Sequence, residues 1–124
     1  MDKPKRDLPE RKFEFARRIV VLCVAGARKS PMSRPLWAQL LRCATSVGAN
    51  VEEGQGSHSR AEFAAKYGIA CKEAREARYW LRLLVAAGIA DSAALAPLVD
   101  EAGQLVAILT TIVRKVKMPR EAKS

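Results

Sequence analysis

PLWAQLLRCATSVGANVEE (Pro35–Glu53), GQGSHS (Gly54–Ser59) and RAEFAAKYGIACKEAREARYWLR (Arg60–Arg82) follow one another without interruption, and their order decides the fold. The first and third stretches repeat apolar residues every three or four positions, the spacing that buries one side of a helix. The second is a Gly/Ser break too short to hold structure of its own. Two antiparallel helices joined by a tight turn are the expected result.

In the first stretch Leu36, Trp37, Leu40, Leu41, Ala44, Val47, Gly48 and Val51 line a single core face. Ser33 is placed to cap this helix, and Pro35 sits in its first turn, where a missing N–H costs little. Gly54 is expected to stop it as a left-handed C-cap. Ser59-Arg60-Ala61-Glu62 reads as a capping box that starts the next helix. That helix has one ladder of Phe63, Tyr67, Ala70, Ala74, Ala77, Leu81 and Leu84, and a second of Ile69, Glu73, Glu76, Trp80 and Leu83. Trp80 and Leu83 point to a second packed face.

Outward from this pair, Ala16, Ile19, Val20, Cys23, Val24 and Ala27 give a first helix a buried face from Arg11 to about Lys29. On the other side Gly88 ends the third helix and Asp91-Ser92 caps a fourth. Its Leu95, Leu98, Val99, Ala102, Leu105, Val106, Leu109, Ile112, Val113 and Val116 keep near-heptad spacing. The sequence therefore predicts an all-α fold, an antiparallel up-down four-helix bundle over residues 11–117. A flexible basic arm (1–10) precedes it and a basic tail (118–124) follows.

The chain has 124 residues, enough for one domain with its own core. Twenty-two Lys and Arg against thirteen Asp and Glu give a formal charge of +9 and favour a polyanionic partner, with an acidic protein or a merely solubilising surface as alternatives. Cys23, Cys43 and Cys71 are odd in number, lack C-x-x-C spacing and fall on three different helices. They read as small hydrophobes in a reducing cytoplasm. The charged, proline-containing N-terminus has no apolar run behind it, so neither a signal peptide nor a membrane partner is expected.

Chemistry is hard to place on these residues. The sole histidine, His58, lies in the turn, with no partner at a helical offset. Glu73 with Glu76, and Glu52 with Glu53, lack the Glu-x-x-His of di-iron bundles, so no metal is expected. The turn lacks a P-loop pattern, and no strand precedes it. The chain is read as non-enzymatic and without a cofactor.

The candidate binding residues are cations. Arg75, Arg78 and Arg82 fall within about one-sixth of a helix circumference. Arg114, Lys115, Lys117 and Arg120 gather at the end of the fourth helix, where they also complement its dipole. The competing reading of the three arginines is pairing with Glu73, Glu76 or a neighbouring subunit. On the second helix Gln39, Cys43, Ser46, Asn50 and Glu53 form a polar stripe, wet in a monomer and a hydrogen-bonded interface in an oligomer.

LLRCATSVGANVEEG (Leu40–Gly54), then SRAEF (Ser59–Phe63) and Ile69-Ala70, resembles the signature of the small four-helix-bundle family first noted in intervening sequences of bacterial 23S rRNA genes. The likeness spans roughly positions 13 to 115 and centres on Ala44, Ser46, Asn50, Glu53 and Gly54. ARYWLRLL (Ala77–Leu84) is similar to the third helix of a related branch, the accessory variability proteins of diversity-generating retroelements. The resemblance implies a homopentameric ring with a positively charged surface or channel. In the retroelement branch it implies binding to nucleic acid and to a reverse transcriptase. By position, Ser46, Asn50, Glu53, Ser59 and Glu62 become helix-end and interface residues, joined at the interface by Trp80 and Leu83. The resulting expectation is a cytoplasmic, oligomeric bundle that binds RNA or DNA through phosphate contacts. The alternative is a protein-interaction adaptor, such as an accessory subunit of a retroelement reverse transcriptase.

Overall fold

Four helices and no strand make up the described residues, 8–118, of the computed structural model. The helices are α1 (Leu8–Lys29), α2 (Arg34–Gln55), α3 (Arg60–Ala86) and α4 (Ser92–Lys117), with a single 3-10 turn, Pro31–Ser33, between α1 and α2. Each helix packs on its neighbour in sequence, as short connections require, so the four-helix bundle read from the periodicity is the observed architecture. α1 and α4 touch less. Arg11 joins them, its Nη2 and Nε donating to Glu101 at 2.8 and 3.1 Å and its Nη2 to Gln104 at 2.8 Å.

α1 starts three residues earlier than expected. Leu8 packs against the core, and Pro9 occupies the first turn, where its missing N–H loses no helical bond, so residues 8–10 belong to the bundle rather than to the arm. Residues 1–7 of the arm, and the tail from residue 119 onward, with Arg120, lie outside the described residues. Val20 and Val24, expected in the buried face of α1, are instead 38% and 47% exposed, beside exposed Phe13 and Val21. The physical reason is position. α1 packs mainly on α2 alone, so it buries only the narrow stripe Lys12, Phe15, Ile19 and Cys23.

The core is aliphatic, with Ile19, Leu40, Val47, Val51, Leu81, Leu84, Leu105 and Leu109 fully enclosed. Ala70, Ala74 and Ala77 are also fully buried, which lets α2 and α4 approach α3 closely on its two flanks. By length and composition α4 is apolar enough to cross a bilayer. Its Leu95, Leu98, Ala102, Leu105 and Leu109 are buried in the bundle, and the rest of the helix is not.

Three local expectations change in the structure. Gly54 does not take a left-handed conformation. α2 continues to Gln55, and Gly54 is needed because a Cβ there would come 2.6 Å from Cε1 of Tyr67. Gly88, with φ 75°, is the left-handed glycine, ending α3 as read. Glu62 closes the Ser59 capping box one residue early. The Ser59 hydroxyl accepts from Glu62 N–H at 3.0 Å, while the Glu62 carboxylate accepts from His58 N–H at 3.0 Å.

Ser33 precedes α2 but does not cap it. Its hydroxyl donates to the Ser30 carbonyl at 2.8 Å and accepts from the Trp37 indole N–H at 3.0 Å. Both residues are buried, so the indole has no water to turn to. Ser33→Ala should cost about 1–3 kcal/mol, the penalty of a buried donor left unsatisfied, read as a lower urea midpoint with an unchanged m-value.

Candidate nucleic-acid interface

The cations of this protein divide by position. On the α1–α2 side several are neutralised, while Arg18, Arg28, Lys29 and Arg34 are exposed and have no ion pair among the described residues. Lys12 lays its stem against Gly48 and reaches Glu52 at 2.8 Å, Arg17 pairs with Glu14 at 2.7 Å, and Lys66 crosses from α3 to Glu53 at 2.8 Å. Arg42 on α2 spans to α3, meeting Glu76 at 2.5 Å and Glu73 at 3.3 Å. This settles where the α3 glutamates go. They face α2, across the helix from Arg75, Arg78 and Arg82. The Trp80 indole N–H, which donates to Glu76 at 2.9 Å, and then Arg42 hold that carboxyl below the usual carboxylate range.

On the α3–α4 side the cations stand free. Arg75, Arg78 and Arg82 are exposed, as are Arg114, Lys115 and Lys117, and none of the six has an ion pair among the described residues. Arg78 and Arg82 line a furrow of about 860 Å³ between α3 and α4, with Tyr79 and Leu83 on the same wall and Val99 and Gly103 opposite. Toward the other end of the same two helices, Arg60, Gly68, Lys72 and Lys117 line a second groove of about 610 Å³. Positions 60, 68, 72, 78, 79 and 82 share one flank of α3 at helical register, so the two grooves continue one another, with Arg75 between them. From Arg60 to Arg82 this flank runs about 33 Å along the axis.

Arg60, Lys72 and Tyr79 were not singled out by sequence reasoning. The signal was present. Lys72, Arg75, Tyr79 and Arg82 recur at three and four residues, but the stripe is legible as a site only once α4 is known to supply the facing wall. Arg60 has a structural task as well, donating to the Val116 carbonyl at 2.6 Å and so tying the start of α3 to the last turn of α4.

The expected interface residues do not converge. Ser46 and Asn50 are half-buried and satisfy each other within α2, the Asn50 amide donating to the Ser46 carbonyl and hydroxyl at 2.9 and 3.0 Å. Glu53 is held by Lys66. Cys43, in the middle of that stripe, is fully buried because α2 lies between α1 and α3 and so has two covered sides. Trp80 belongs to the Arg42–Glu76 network. Leu83 lies in the furrow beside Arg82.

The remaining reactive groups are quiet. Burial pushes the Cys23 and Cys43 thiols up to about 12, which leaves them protonated and unreactive at neutral pH. Cys71 lies 3.2 Å from the Thr110 hydroxyl. Among the described residues no group of three or more His, Cys, Asp or Glu side chains is placed to hold a metal ion.

A family model described as 23S rRNA-intervening sequence protein matches residues 7–111. Among solved structures, a protein with unknown function from the S23 ribosomal protein family of Bacteroides thetaiotaomicron VPI-5482 superposes with a TM-score of 0.81 at 31% sequence identity. The match covers 87% of this chain and 99% of that one. The search of curated proteins finds no match.

Proposed function

Since this chain belongs to the 23S rRNA-intervening sequence protein family, we propose that it is a non-enzymatic, self-assembling bundle that binds RNA or DNA in the cytoplasm through the α3–α4 face. One observation carries this reading: Arg75, Arg78, Arg82, Arg114, Lys115 and Lys117 on that face have no ion pair among the described residues, whereas Arg11, Lys12, Arg42 and Lys66 are held in ion pairs between helices. Unpaired guanidinium groups along one flank suit a phosphodiester backbone, and contacts to phosphate read no base identity. Arg75, Arg78 and Arg82 form the centre of the surface, with Arg114, Lys115 and Lys117 at its far end.

Assembly has separate support. Phe13, Val21 and Val24 on the outer face of α1 are 68%, 60% and 47% exposed, an apolar strip that a second copy would cover. The number of copies that the resemblance implies is five. A single-chain mass in sedimentation would remove the assembly. The test of binding is its salt dependence. Affinity for a mixed RNA and DNA pool should fall linearly on a log-log plot between 50 and 200 mM salt, each phosphate contact contributing about 0.7 to 0.9 to the slope. Binding that is absent at low salt, or indifferent to salt, would overturn the proposal.

The adaptor reading, with a retroelement reverse transcriptase as partner, has one observation in its favour. Tyr79 and Trp80 stack edge to face at 5.2 Å, and Tyr79 is exposed, giving a protein partner an aromatic anchor.

A further inference from the structure

The α3–α4 furrow has a chemistry that charge alone does not require. Its lining includes the aliphatic side chains of Leu83, Val85 and Val99, and Tyr79 stands in its wall 55% exposed, with no hydrogen bond to its hydroxyl among the described residues. A duplex keeps the faces of its bases sealed in the stack and offers phosphates, sugars and base edges, so an open aromatic ring has no base to stack on there. An unpaired nucleobase offers a flat π-face beside its phosphate. We propose that this furrow takes single-stranded rather than duplex nucleic acid, with a base stacked on Tyr79 and the flanking phosphates on Arg78 and Arg82.

The placement of charge fits one orientation. Arg78 and Arg82 stand on the α3 wall one turn apart, with Tyr79 beside them, and Arg75 precedes Arg78 by a turn on the same flank. Arg78 lies over Gly103 of α4, where an added Cβ would be 3.6 Å from its Nε, an ordinary contact, so the arginine stem packs close against the α4 wall. Asp100 stands on the α4 wall and accepts from the Gln104 amide at 2.9 Å. A carboxylate repels phosphate, so the strand's backbone keeps to the arginines of the α3 wall, with the base on Tyr79 of that wall, while Gln104 is held between Asp100 and Arg11.

This inference rests on the phosphate-binding reading above, and the test separates the two. The full chain is titrated at low salt with a fluorescein-labelled oligothymidylate and with a labelled duplex of the same length, following anisotropy. The wild-type protein should prefer the single strand. Tyr79→Ala and Tyr79→Leu should weaken single-strand binding roughly five- to a hundredfold and leave duplex binding unchanged, whereas Tyr79→Phe, which keeps the ring, should match wild type. Helical content by circular dichroism shows that each variant is folded. Equal affinity for both probes, insensitive to Tyr79, overturns the single-strand inference and leaves the phosphate-binding reading standing. No binding of either probe overturns both. A fall in sedimented mass in Tyr79→Ala would assign the furrow to a second copy of the chain and likewise overturn the inference.

Discussion

Gly26→Ala should destabilise the folded chain by about 3 kcal/mol, seen as a fall of roughly 10 °C in melting temperature. Helix propensity argues the other way, since alanine in a helix interior is worth up to about 1 kcal/mol over glycine. Overlap decides the sign. A Cβ at position 26 would run into the Trp37 ring, the farthest of its three nearest ring atoms being only 2.7 Å away. The ring cannot step aside, because Trp37 is 3% exposed and its N–H is held by Ser33. Gly68→Ala is the control. Nothing lies within 4 Å of a Cβ there, so that substitution should stabilise by up to about 1 kcal/mol. A melting temperature for Gly26→Ala at or above wild type would mean that α1 and α2 are not in this contact.

Replacing Arg75, Arg78 and Arg82 together by Gln should weaken nucleic-acid binding on the order of a hundredfold at 50 mM salt and lower the log-log salt slope by about three. Stability should stay within about 0.5 kcal/mol of wild type, because the three side chains are exposed and make no ion pair among the described residues. Arg42 is the informative contrast. It is just as positively charged, but it is already spent on Glu73 and Glu76, so Arg42→Gln should leave the slope unchanged while loosening α2 from α3. If the triple variant keeps both affinity and slope, phosphate contact lies elsewhere. If it loses only a protein partner, the adaptor reading takes over.

Most of the architecture was written locally. Apolar spacing named the core faces of α2, α3 and α4, and Ser59, Gly88 and Asp91 set helix ends by hydrogen bonds or backbone conformation within a few residues of themselves. Where the local rules misled, a distant residue had intervened. Gly54 looked like a left-handed cap and is instead a gap for Tyr67, and Ser33 looked like a cap and instead serves the Trp37 indole.

The candidate surface divides in the same way. An all-α bundle, an excess of positive charge and an arginine stripe on α3 are all legible in the order of residues. Which cations are left without an ion pair, that Arg42 draws Glu73 and Glu76 to the α2 side, and that α4 turns Tyr79, Arg78 and Arg82 into one wall of a furrow come from how the helices pack. Helical periodicity is fixed by neighbours three and four positions away. Ion pairing and concavity depend on which helix lies opposite, and that is set by the packing of the whole chain.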